Sequence, residues 1–475
     1  MNSDIQLQFL RSALTKEGAK ISTNRVANWI KEQNQKVNVE VNQIPFNDIC
    51  KWQFDFNNVK LHHTTGKFFS VEGINVKTNI GNIPEWDQPI INQPEIGYLG
   101  FITKIFNGVL HFLVQAKIEP GNINYVQLSP TIQATRSNYM QIHKGKKPLY
   151  LDYFKFANSK QILLDQLQSE QGSRFLKKRN RNIIILTKEE IPEHENFLWL
   201  TLGQIKDLMA FDNLVNMDTR TVIAGIEFGN PEDESYLNQV NHQSIGNKFL
   251  KSSTDSKNSF HKIDQIISFL TTQKSNSILE IEKTPLNKLR KWKLGNYDLV
   301  HEENKYFKVI GVEVKIENRE VTSWHQPMIQ PMQEGLCAFI LKEINGTIHL
   351  AVQAKVECGN HDIVEFAPTV QCLTGNYRET KAGSLPFLEY VLNASKNQII
   401  YDTMQSEEGG RFYKEQNRNL LIYVGEKFSN KLPDNYVWMT LSQILWFLKF
   451  NNFFNVQARS LIAAINYCKN DFNVK

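Results

Sequence analysis

Two nearly identical polar stretches, QAKIEPGN at 115–122 and QAKVECGN at 353–360, carry side chains suited to acid–base and binding chemistry. Side chains alternate between the two faces of a strand, so every second residue of the segment 109–119 faces the same way. The polar face carries the same residue types in both copies: His111, Gln115, Lys117 and Glu119, then His349, Gln353, Lys355 and Glu357. A strand face in contact with water would also be polar, but solvation does not require the same types in the same order. The repetition predicts that this face lines a pocket.

The stretch SPTIQATRSNY at 129–139 supplies groups that suit a nucleotide. Gln133 brings a planar amide and Tyr139 an aromatic ring, which match the imide edge and the face of a pyrimidine base. Packing in the core is the alternative role for Tyr139. Arg136 could hold a diphosphate through two parallel hydrogen bonds. The second copy has Thr374 at this position, so the two copies are not equivalent.

Two further repeated motifs are candidates for a ligand site. WDQP at 86–89 and WHQP at 324–327 each combine an aromatic ring with an amide, either as the wall of a pocket or as a packed turn. The stretches QSEQGSRF and QSEEGGRF contain Glu170, Arg174 and their equivalents. On the helix predicted at 158–178, this Glu and Arg at i, i+4 would form an ion pair.

These motifs occur twice because the chain contains a long internal repeat, aligned by a shift of 238 residues. The unit of about 200 residues is far longer than the period of solenoid repeats and predicts a tandem domain duplication. A chain of 475 residues is also too long for one core. The stretch 229–260 is polar and rich in Ser and Asn, which predicts a linker. We therefore expect an N-terminal repeat at 1–228 and a C-terminal repeat at 261–475.

Each repeat mixes helices with strands. In the first repeat the pattern predicts helices at 23–35, 158–178, 201–210 and 217–227. It predicts strands at 37–41, 67–76, 97–105, 108–118, 124–133 and 182–187. The dipeptide Asn-Gly at 107–108, repeated at 345–346, indicates a hairpin. This order of elements predicts an α+β fold with a mixed sheet in each repeat.

Composition and motifs exclude several other classes of protein. The net charge of +5 is small for this length and no basic block stands out, which argues against nucleic-acid binding. The five cysteines form no CxxC, and neither a signal peptide nor an apolar run of about 18 residues occurs, so we expect a cytoplasmic protein without membrane association. HxH, HExxH and EF-hand patterns are missing, so no metal site is expected. The sequence also lacks GxGxxG after a strand, GxxxxGK[ST] and GxSxG.

The longest of these phrases resemble the NDP-hexose 2,3-dehydratases. The first half carries HTTGKFFSVEGI (63–74), WDQPIINQPEIG (86–97), FLVQAKIEPGN (112–122), VQLSPTIQATRSNY (126–139) and DQLQSEQGSRFLKKRNRN (165–182). The second half carries APTVQ (367–371) and QSEEGGRF (405–412). The resemblance extends over nearly the whole chain, from about residue 25 to about residue 470.

This resemblance implies a tandem pair of Nudix-hydrolase-like α+β domains and a homodimer that works without metal or other cofactor. It implies a nucleotide-sugar pocket in each repeat and leaves open which one is catalytic and which vestigial. The implied substrate is dTDP-4-keto-6-deoxy-D-glucose, although the sequence does not separate a thymidine from a guanosine nucleotide. The implied reaction removes the C3 proton beside the C4 ketone, expels the C2 hydroxyl and gives a 3,4-diketo-2,6-dideoxy sugar.

Such an elimination needs a base, a cation or donor for the enolate oxygen, and an acid for the departing hydroxide. We expect Lys117 to stabilise the enolate, Glu119 or His63 to be the base, and His111 to be the acid. The predicted nucleotide-sugar-binding residues of both copies are Trp86, Gln88, Gln115, Gln133, Thr135, Arg136, Tyr139, Arg174, Trp324, Gln326, Gln353, Lys355, Gln371, Asn376, Tyr377 and Arg411. Two alternatives remain, a non-catalytic nucleotide-sugar-binding protein and an epimerase that acts at C3 of the same 4-keto sugar.

Overall fold

The computed structural model describes residues 3–57, 59–140, 147–229, 244–255, 257–317, 321–374 and 385–469. The helices are α1 Ser3–Leu14, α2 Thr23–Gln35, α3 Arg136–Tyr139, α4 Leu151–Lys155, α5 Leu202–Leu208, α6 Met217–Ile223, α7 Ile245–Thr254, α8 Ile263–Asn276, α9 Leu388–Leu392, α10 Leu441–Leu448 and α11 Val456–Ala463. None of the helices in these described segments has the length and apolar content of a membrane span.

The strands follow the same series in both repeats. They are β1 Val39–Ile44, β2 Trp52–Phe54, β3 Lys60–His63, β4 Ser70–Thr78, β5 Glu85–Asn92, β6 Gly97–Phe106, β7 Val109–Ile118, β8 Val126–Pro130, β9 Ile132–Ala134, β10 Ile162–Ser169, β11 Arg179–Leu186, β12 Phe197–Thr201, β13 Leu279–Thr284, β14 Trp292–Leu294, β15 Asp298–His301, β16 Phe307–Ile316, β17 Ser323–Pro331, β18 Gly335–Ile344, β19 Thr347–Val356, β20 Val364–Ala367, β21 Val370–Leu373, β22 Ile399–Ser406, β23 Gln416–Val424 and β24 Tyr436–Thr440.

A seven-stranded mixed sheet forms the centre of each repeat. In the first, the order is β10-β11-β6-β7-β12, with β8 beside β7 and β9 beside β6. In the second, it is β20-β19-β18-β23-β22, with β24 beside β19 and β21 beside β18. The pairs β6–β11 and β18–β23 are parallel and the remaining pairs antiparallel. The α+β class, the mixed sheet and the internal repeat predicted from the sequence are confirmed.

The hairpin β6–β7 forms where the Asn-Gly dipeptide predicts it. Asn107 has φ of 49° and Gly108 φ of 76°, so both residues adopt the left-handed conformation that a type I′ turn requires. Along β7, Phe112 and Val114 join the main core on one face. Leu113 on the opposite face packs in a second cluster with Trp199 and other residues, so both faces of this strand are covered over most of its length.

Each repeat completes the smaller five-stranded sheet of the other. β1 pairs antiparallel with β16 of the second repeat, with Val39 opposite Ile316. β13 pairs antiparallel with β4 of the first repeat, with Leu279 opposite Thr78. The domain boundaries taken from the sequence repeat stay a prediction, since strands close to the start of each repeat lie in the sheet of the other.

Two buried arginines fasten the repeats to each other. Arg220 on α6 donates to the main-chain oxygen of Ser406 in the second repeat at 2.6 Å. Arg459 on α11 makes the equivalent bond to the main-chain oxygen of Ser169 in the first repeat. Each of these arginines is only 1% exposed. Because buried guanidinium donors require acceptors, these bonds fix the placement of one repeat against the other.

The structure differs from the sequence-based expectation in two segments. The segment 158–178 is not a helix, because Ile162–Ser169 forms β10 and pairs with β11. The expected linker 229–260 contains α7, which buries Phe249 and Leu250 in the main core. Helix α7 precedes α8 as α1 precedes α2, so this helix belongs to the second copy of the repeated series.

Candidate functional site

A chain of hydrogen bonds fixes Glu119 just beyond the end of β7. Gln133 on β9 donates from Nε2 to Glu119 Oε1 at 2.6 Å, and Asn216 donates from Nδ2 to Gln133 Oε1 at 3.1 Å. Lys117 Nζ lies 3.9 Å from Glu119 Oε1 and donates to the main-chain oxygen of Gln133 at 3.1 Å. The Gln133 amide donates to Glu119 and the Lys117 ammonium group lies close to it, so the carboxyl group of Glu119 is held in a fixed orientation.

The second repeat contains the same chain. Gln371 donates from Nε2 to Glu357 Oε1 at 2.9 Å, and Asn455 donates from Nδ2 to Gln371 Oε1 at 2.7 Å. Lys355 lies on β19, two residues before Glu357. Gln353, on the same face of β19, is buried, and its Oε1 has no hydrogen-bond partner among the described residues.

A loop from the opposite repeat completes each group. The Gly121 N–H donates to the main-chain oxygen of Gly409 at 2.8 Å, and the Gly359 N–H donates to that of Gly172 at 2.6 Å. The approach is close, since a methyl group on Gly409 would lie 2.9 Å from Glu119 Cβ. The loops that follow β22 and β10 therefore bring their charged side chains to the polar end of β7 and β19, respectively.

We call the two composite groups site A and site B. Site A comprises Glu95, Lys117, Glu119, Gln133, Glu170, Lys178 and Asp218 of the first repeat with Glu408 and Arg411 of the second. Site B comprises the equivalent residues Gln333, Lys355, Glu357, Gln371, Glu407, Glu415 and Gln457 of the second repeat with Gln171 and Arg174 of the first. Neither site is complete within one repeat.

Each site receives an arginine that stacks on an aromatic ring. Arg411 Cζ lies 4.1 Å from the centre of the Phe69 ring, and Nε donates to Gln93 Oε1 at 3.3 Å. Arg174 Cζ lies 4.0 Å from the centre of the Phe307 ring. A guanidinium held flat in this way presents its N–H groups in a fixed plane, which suits a phosphate or carboxylate.

Electrostatics in site A favour protonated carboxyl groups. Burial, and then the charge of Glu119, raise the pKa of Glu408 to about 7, against the opposing charge of Arg411. Asp218 is 2% exposed, and burial together with the charges of Glu170 and Glu119 raises its pKa well above the usual value. Site A therefore holds exchangeable carboxyl protons near neutral pH.

Three predicted nucleotide-binding residues lie at the rim of site A. Arg136 is exposed at the start of α3, directly after Thr135. Tyr139 packs edge-on against Tyr98, with ring centres 5.5 Å apart, and is half-buried. Burial raises the pKa of Tyr139 and the charge of Arg136 opposes this shift, so the two side chains are neighbours. Gln115 lies half-buried on β7, two residues before Lys117.

The two Trp-Gln motifs lie on strands and support the crossing loops. Trp86 donates from Nε1 to Gln88 Oε1 at 2.9 Å, and Gln88 donates from Nε2 to the main-chain oxygen of Ser173 at 3.0 Å. The equivalent bonds in the second copy join Trp324, Gln326 and Gly410. The first motif thus holds the loop of Arg174 in site B, and the second holds the loop of Arg411 in site A.

The assignment of His111 as the acid is not supported by its position. His111 lies six residues before Lys117 on β7, which places the two Cα atoms roughly 20 Å apart at the rise of a strand. Its Nε2 accepts from the Ala19 N–H at 3.0 Å, and its Nδ1 lies 2.9 Å from the main-chain oxygen of Val109. His349 makes the same pair of contacts, so this histidine recurs for a structural reason.

His63 is also not brought beside Glu119. It lies on β3 and packs edge-on against Trp52, with ring centres 5.4 Å apart. Trp52 in turn packs against Phe69, the ring beneath Arg411. His63 is therefore placed behind the aromatic support of Arg411, and Glu119 is the better placed of the two candidate bases.

The predicted helical ion pair between Glu170 and Arg174 does not form. Both residues lie in the loop between β10 and β11. Glu170 accepts from Asn180 Nδ2 at 2.5 Å and belongs to site A. Arg174 points to site B, where the charge of Glu357 acts on it. The loop sends neighbouring residues into different sites because it crosses the boundary between the repeats.

Sequence reasoning missed Asp218, Glu408, Lys178 and Asn216. A signal for the first two was present in the repeat itself, since the second copy has Gln457 opposite Asp218 and the first copy has Gln171 opposite Glu408. Asn376 and Tyr377 lie outside the described residues. Within the part of the chain that the structure describes, His, Cys, Asp and Glu side chains form no group of three or more arranged to hold a metal ion.

Comparison with known proteins agrees with the sequence resemblance. The family described as NDP-hexose 2,3-dehydratase matches the chain twice, at residues 23–226 and 263–465. A dTDP-4-dehydro-6-deoxy-alpha-D-glucopyranose 2,3-dehydratase of Saccharopolyspora spinosa is 43% identical over 474 residues, covering 98% of this chain and 96% of that protein. Proteins of the same name from Amycolatopsis orientalis and Streptomyces violaceoruber are each 40% identical, covering 96% and 92% of this chain and 92% and 95% of those proteins, respectively. The chain therefore belongs to the NDP-hexose 2,3-dehydratase family.

Proposed function

We propose that this protein eliminates water from dTDP-4-keto-6-deoxy-D-glucose to give the 3,4-diketo-2,6-dideoxy sugar, and that the reaction takes place in site A. The observation that carries the proposal is the pairing of Lys117 with Glu119, 3.9 Å apart, at a position that a loop of the second repeat completes with Arg411. The relatives bear the name of a dehydratase acting on this sugar nucleotide, which supports the choice of substrate.

The chemistry requires three groups around the sugar ring. The C4 ketone acidifies the C3 proton, and a base removes this proton to form an enolate. The enolate then expels the hydroxyl group at C2, which leaves as water after it gains a proton. The resulting enol tautomerises to the 3,4-diketone. A preorganised cation beside the developing enolate oxygen lowers the barrier of the first step.

The positions of Glu119 and Lys117 support the first two of these roles. Glu119 accepts hydrogen bonds and is the base that takes the C3 proton. Lys117, on the same face of β7, faces the enolate oxygen at C4. Gln133 fixes the Glu119 carboxylate, and Asn216 fixes the Gln133 amide, so the base is oriented before substrate binds.

The nucleotide end of the substrate lies towards the rim. Arg136 and Arg411 bind the diphosphate, and Tyr139 stacks on the base. Arg136 supports the choice of site A, because site B has Thr374 at the equivalent position. The binding residues of the second copy, Lys355 and Gln371 among them, form a second nucleotide-sugar pocket at site B.

The proposal includes a Nudix-like fold for each repeat, a homodimer, a cytoplasmic location and activity without metal. The mixed seven-stranded sheet with helices on it, repeated within the chain, supports the first of these features. The dimer, the location and the metal independence are inferred from the family resemblance and from the composition of the chain.

The test is incubation of the purified, EDTA-treated protein with dTDP-4-keto-6-deoxyglucose in D2O, followed by mass spectrometry. A product that has lost one water, allowing for the mass of any deuterium taken up at C2, or dTDP released from an unstable diketone, is expected. Deuterium at C3 without loss of water would indicate the epimerase. Binding without either change would indicate a non-catalytic binding protein. A parallel incubation with the GDP-linked sugar determines which nucleotide is preferred.

A further inference from the structure

Sites A and B share their Lys-Glu-Gln-Asn chain but differ at four other charged positions. Glu95, Lys178, Asp218 and Glu408 of site A correspond to Gln333, Glu415, Gln457 and Gln171 of site B. At three of the four positions a carboxyl group is replaced by a carboxamide. A carboxamide keeps the polar, planar shape of the side chain but carries no proton that it can give up near neutral pH. These three differences therefore concern proton transfer rather than packing.

Glu408 is the residue among these that the fold places directly beside Glu119. It precedes Gly409, whose main-chain oxygen accepts from the Gly121 N–H and at which an added Cβ would lie 2.9 Å from Glu119 Cβ. Its Oε1 accepts from the Gly410 N–H at 3.0 Å, which fixes the orientation of the carboxyl group. Its Oε2 is buried and has no hydrogen-bond partner among the described residues. One oxygen is therefore held by the loop, and the other is left for a proton and a ligand.

The surroundings favour the protonated form of this carboxyl group. The charges of Glu119 and Glu170 raise the pKa of Glu408, and those of Arg411 and Lys117 lower it, with burial the largest effect. Burial, and then the charges of Glu170, Glu119 and Glu408, raise the pKa of Asp218 at the start of α6. A group of carboxyls this close cannot all be ionised, so protons are retained among them.

We propose that Glu408, contributed by the second repeat, is the catalytic acid of site A and protonates the hydroxyl group that leaves C2, while Glu119 of the first repeat takes the C3 proton. Asp218 is a positioning residue that keeps a proton in the group. This inference rests on the proposed function. It assigns the catalytic acid, a role that the position of His111 does not support.

The protons balance over one turnover. Glu119 gains the C3 proton, and the electron pair of the C3–H bond forms the enolate. As the C2–O bond breaks, the enolate electrons form the C2–C3 double bond, and Glu408 gives its proton to the departing oxygen. The enol O–H at C3 then returns a proton to the Glu408 carboxylate. Glu119 delivers its proton to C2, and both carboxyl groups regain their starting states.

The experiment compares Glu408→Gln with the unaltered protein in two assays on dTDP-4-keto-6-deoxyglucose in D2O. One assay follows loss of water, and the other follows exchange of the C3 hydrogen at early times. Glu426→Gln is the matched control, because Glu426 is exposed and lies outside both sites. Thermal unfolding of each variant verifies that the fold is kept. Glu408→Asp, which retracts the carboxyl group by one methylene, is the second variant.

We expect Glu408→Gln to slow loss of water by about 100-fold or more, as removal of a general acid does. We expect exchange at C3 to persist in this variant, since Glu119 remains. Glu408→Asp is expected to lose less activity than Glu408→Gln, with exchange at C3 again retained.

The outcomes separate this inference from the proposed function. If the unaltered protein releases no water, the dehydratase function itself is wrong. If it releases water and Glu408→Gln stays within about threefold of it, a ratio far below the effect of a general acid, the role of Glu408 is wrong and the dehydratase stands. If a folded Glu408→Gln loses exchange at C3 together with loss of water, Glu408 acts before the elimination step and the assignment as acid is overturned.

Discussion

Gly121 of the first repeat and Gly409 of the second are joined by a hydrogen bond from the Gly121 N–H to the Gly409 oxygen at 2.8 Å. Lys414 N–H returns a bond to the Gly121 oxygen at 2.7 Å, so the turn after β7 is clamped by the loop after β22. The related contact between Gly359 and Gly172 does the same at site B. Each site is thus assembled only when both repeats are folded against each other.

Gly121→Ala tests this clamp. The added Cβ would lie 1.7 Å from the main-chain oxygen of Phe412 and 2.6 Å from that of Gly409, so backbone must move. We expect kcat/KM to fall by roughly 100-fold, the effect of an ångström-scale misplacement of catalytic groups. We expect the free energy of unfolding to fall by about 1–3 kcal/mol, as for other overpacked positions. Steady-state kinetics and urea unfolding measure the two effects.

The controls for this variant come from the same chain. Gly425→Ala places its Cβ where no atom lies within 4 Å, so both quantities should stay near those of the unaltered protein. In Gly359→Ala the added Cβ would lie 1.8 Å from the main-chain oxygen of Phe175. This variant should lower the stability as Gly121→Ala does, but it should lower turnover less. Equal losses of turnover in Gly121→Ala and Gly359→Ala would contradict catalysis confined to site A.

Arg220→Met tests the fastening of the repeats. Arg220 donates to Val215 and Ser406 main-chain oxygens and to Gln405 Oε1, all in a buried setting. Removing the donor leaves these acceptors without partners, and each buried orphan costs about 1–3 kcal/mol. Urea unfolding should therefore show a loss of about 3 kcal/mol or more. Arg25→Met, at an exposed position, should change the stability by less than about 0.5 kcal/mol, and similar values for the two variants would contradict the role of Arg220.

The local sequence pattern was sufficient to predict much of the fold. The Asn-Gly turn at 107–108 and the alternation along β7 fix a hairpin through contacts within a few residues. The segment 158–178 failed because its apolar residues also suit a strand, and pairing of β10 with β11 decides between the two. Such pairing depends on residues distant in the sequence, which the local pattern does not contain.

Only the part of the candidate site that lies within one repeat could be predicted from the sequence. Lys117, Glu119 and Gln133 come together because β7 and β9 both pair with β6 in one sheet, and Glu119 directly follows β7. Glu408 and Arg411 arrive from the other repeat, and no spacing in the sequence predicts that loop crossing. The position of His111 does not support its predicted role because the polar face of β7 was treated as one site, although His111 and Lys117 are about 20 Å apart at the rise of a strand.

Glu119→Gln compared with Glu357→Gln determines which site is catalytic. Both carboxylates accept from the equivalent glutamine, so the two substitutions disturb the same hydrogen bond in each repeat. Loss of the base should lower kcat by about 10²–10⁴-fold and abolish exchange of the C3 hydrogen in Glu119→Gln. Glu357→Gln should keep most of the turnover. Comparable losses in both variants would show that the two sites act together.

The pH dependence of kcat follows from Glu408. The acid must be protonated, and its raised pKa of about 7 means that this form is lost as the pH rises through 7. The charged groups that interact with it are Glu119, Glu170, Arg411 and Lys117, together with Asp218 and Lys178. We expect kcat, measured with saturating substrate between about pH 5.5 and 9, to fall on the alkaline side. The residual rate of Glu408→Gln should lack this limb, and an unchanged limb would assign it to another group.

Glu365 should make the protein less stable as the pH rises towards 8. Glu365 is fully buried and accepts from Ser169 Oγ at 2.7 Å, and burial raises its pKa to about 8. The unfolded chain loses this proton near pH 4.3. The folded protein therefore binds the extra proton between these values, and its free energy of unfolding decreases as the pH rises towards 8.

The first repeat has Gln127 at the position of Glu365, and its Oε1 accepts from Ser406 Oγ as Glu365 accepts from Ser169 Oγ, so Glu365→Gln is a substitution that the fold already accommodates. Between pH 5 and pH 8 this variant should lack the decrease in the free energy of unfolding that Glu365 causes, so its stability relative to the unaltered protein should rise by on the order of 3 kcal/mol over this range. Urea unfolding at several pH values measures the difference. Because Glu407 has a similarly raised pKa of about 8, some slope should remain in the variant. Parallel curves for the two proteins would show that Glu365 is ionised in the folded state, in which case Arg459 neutralises it.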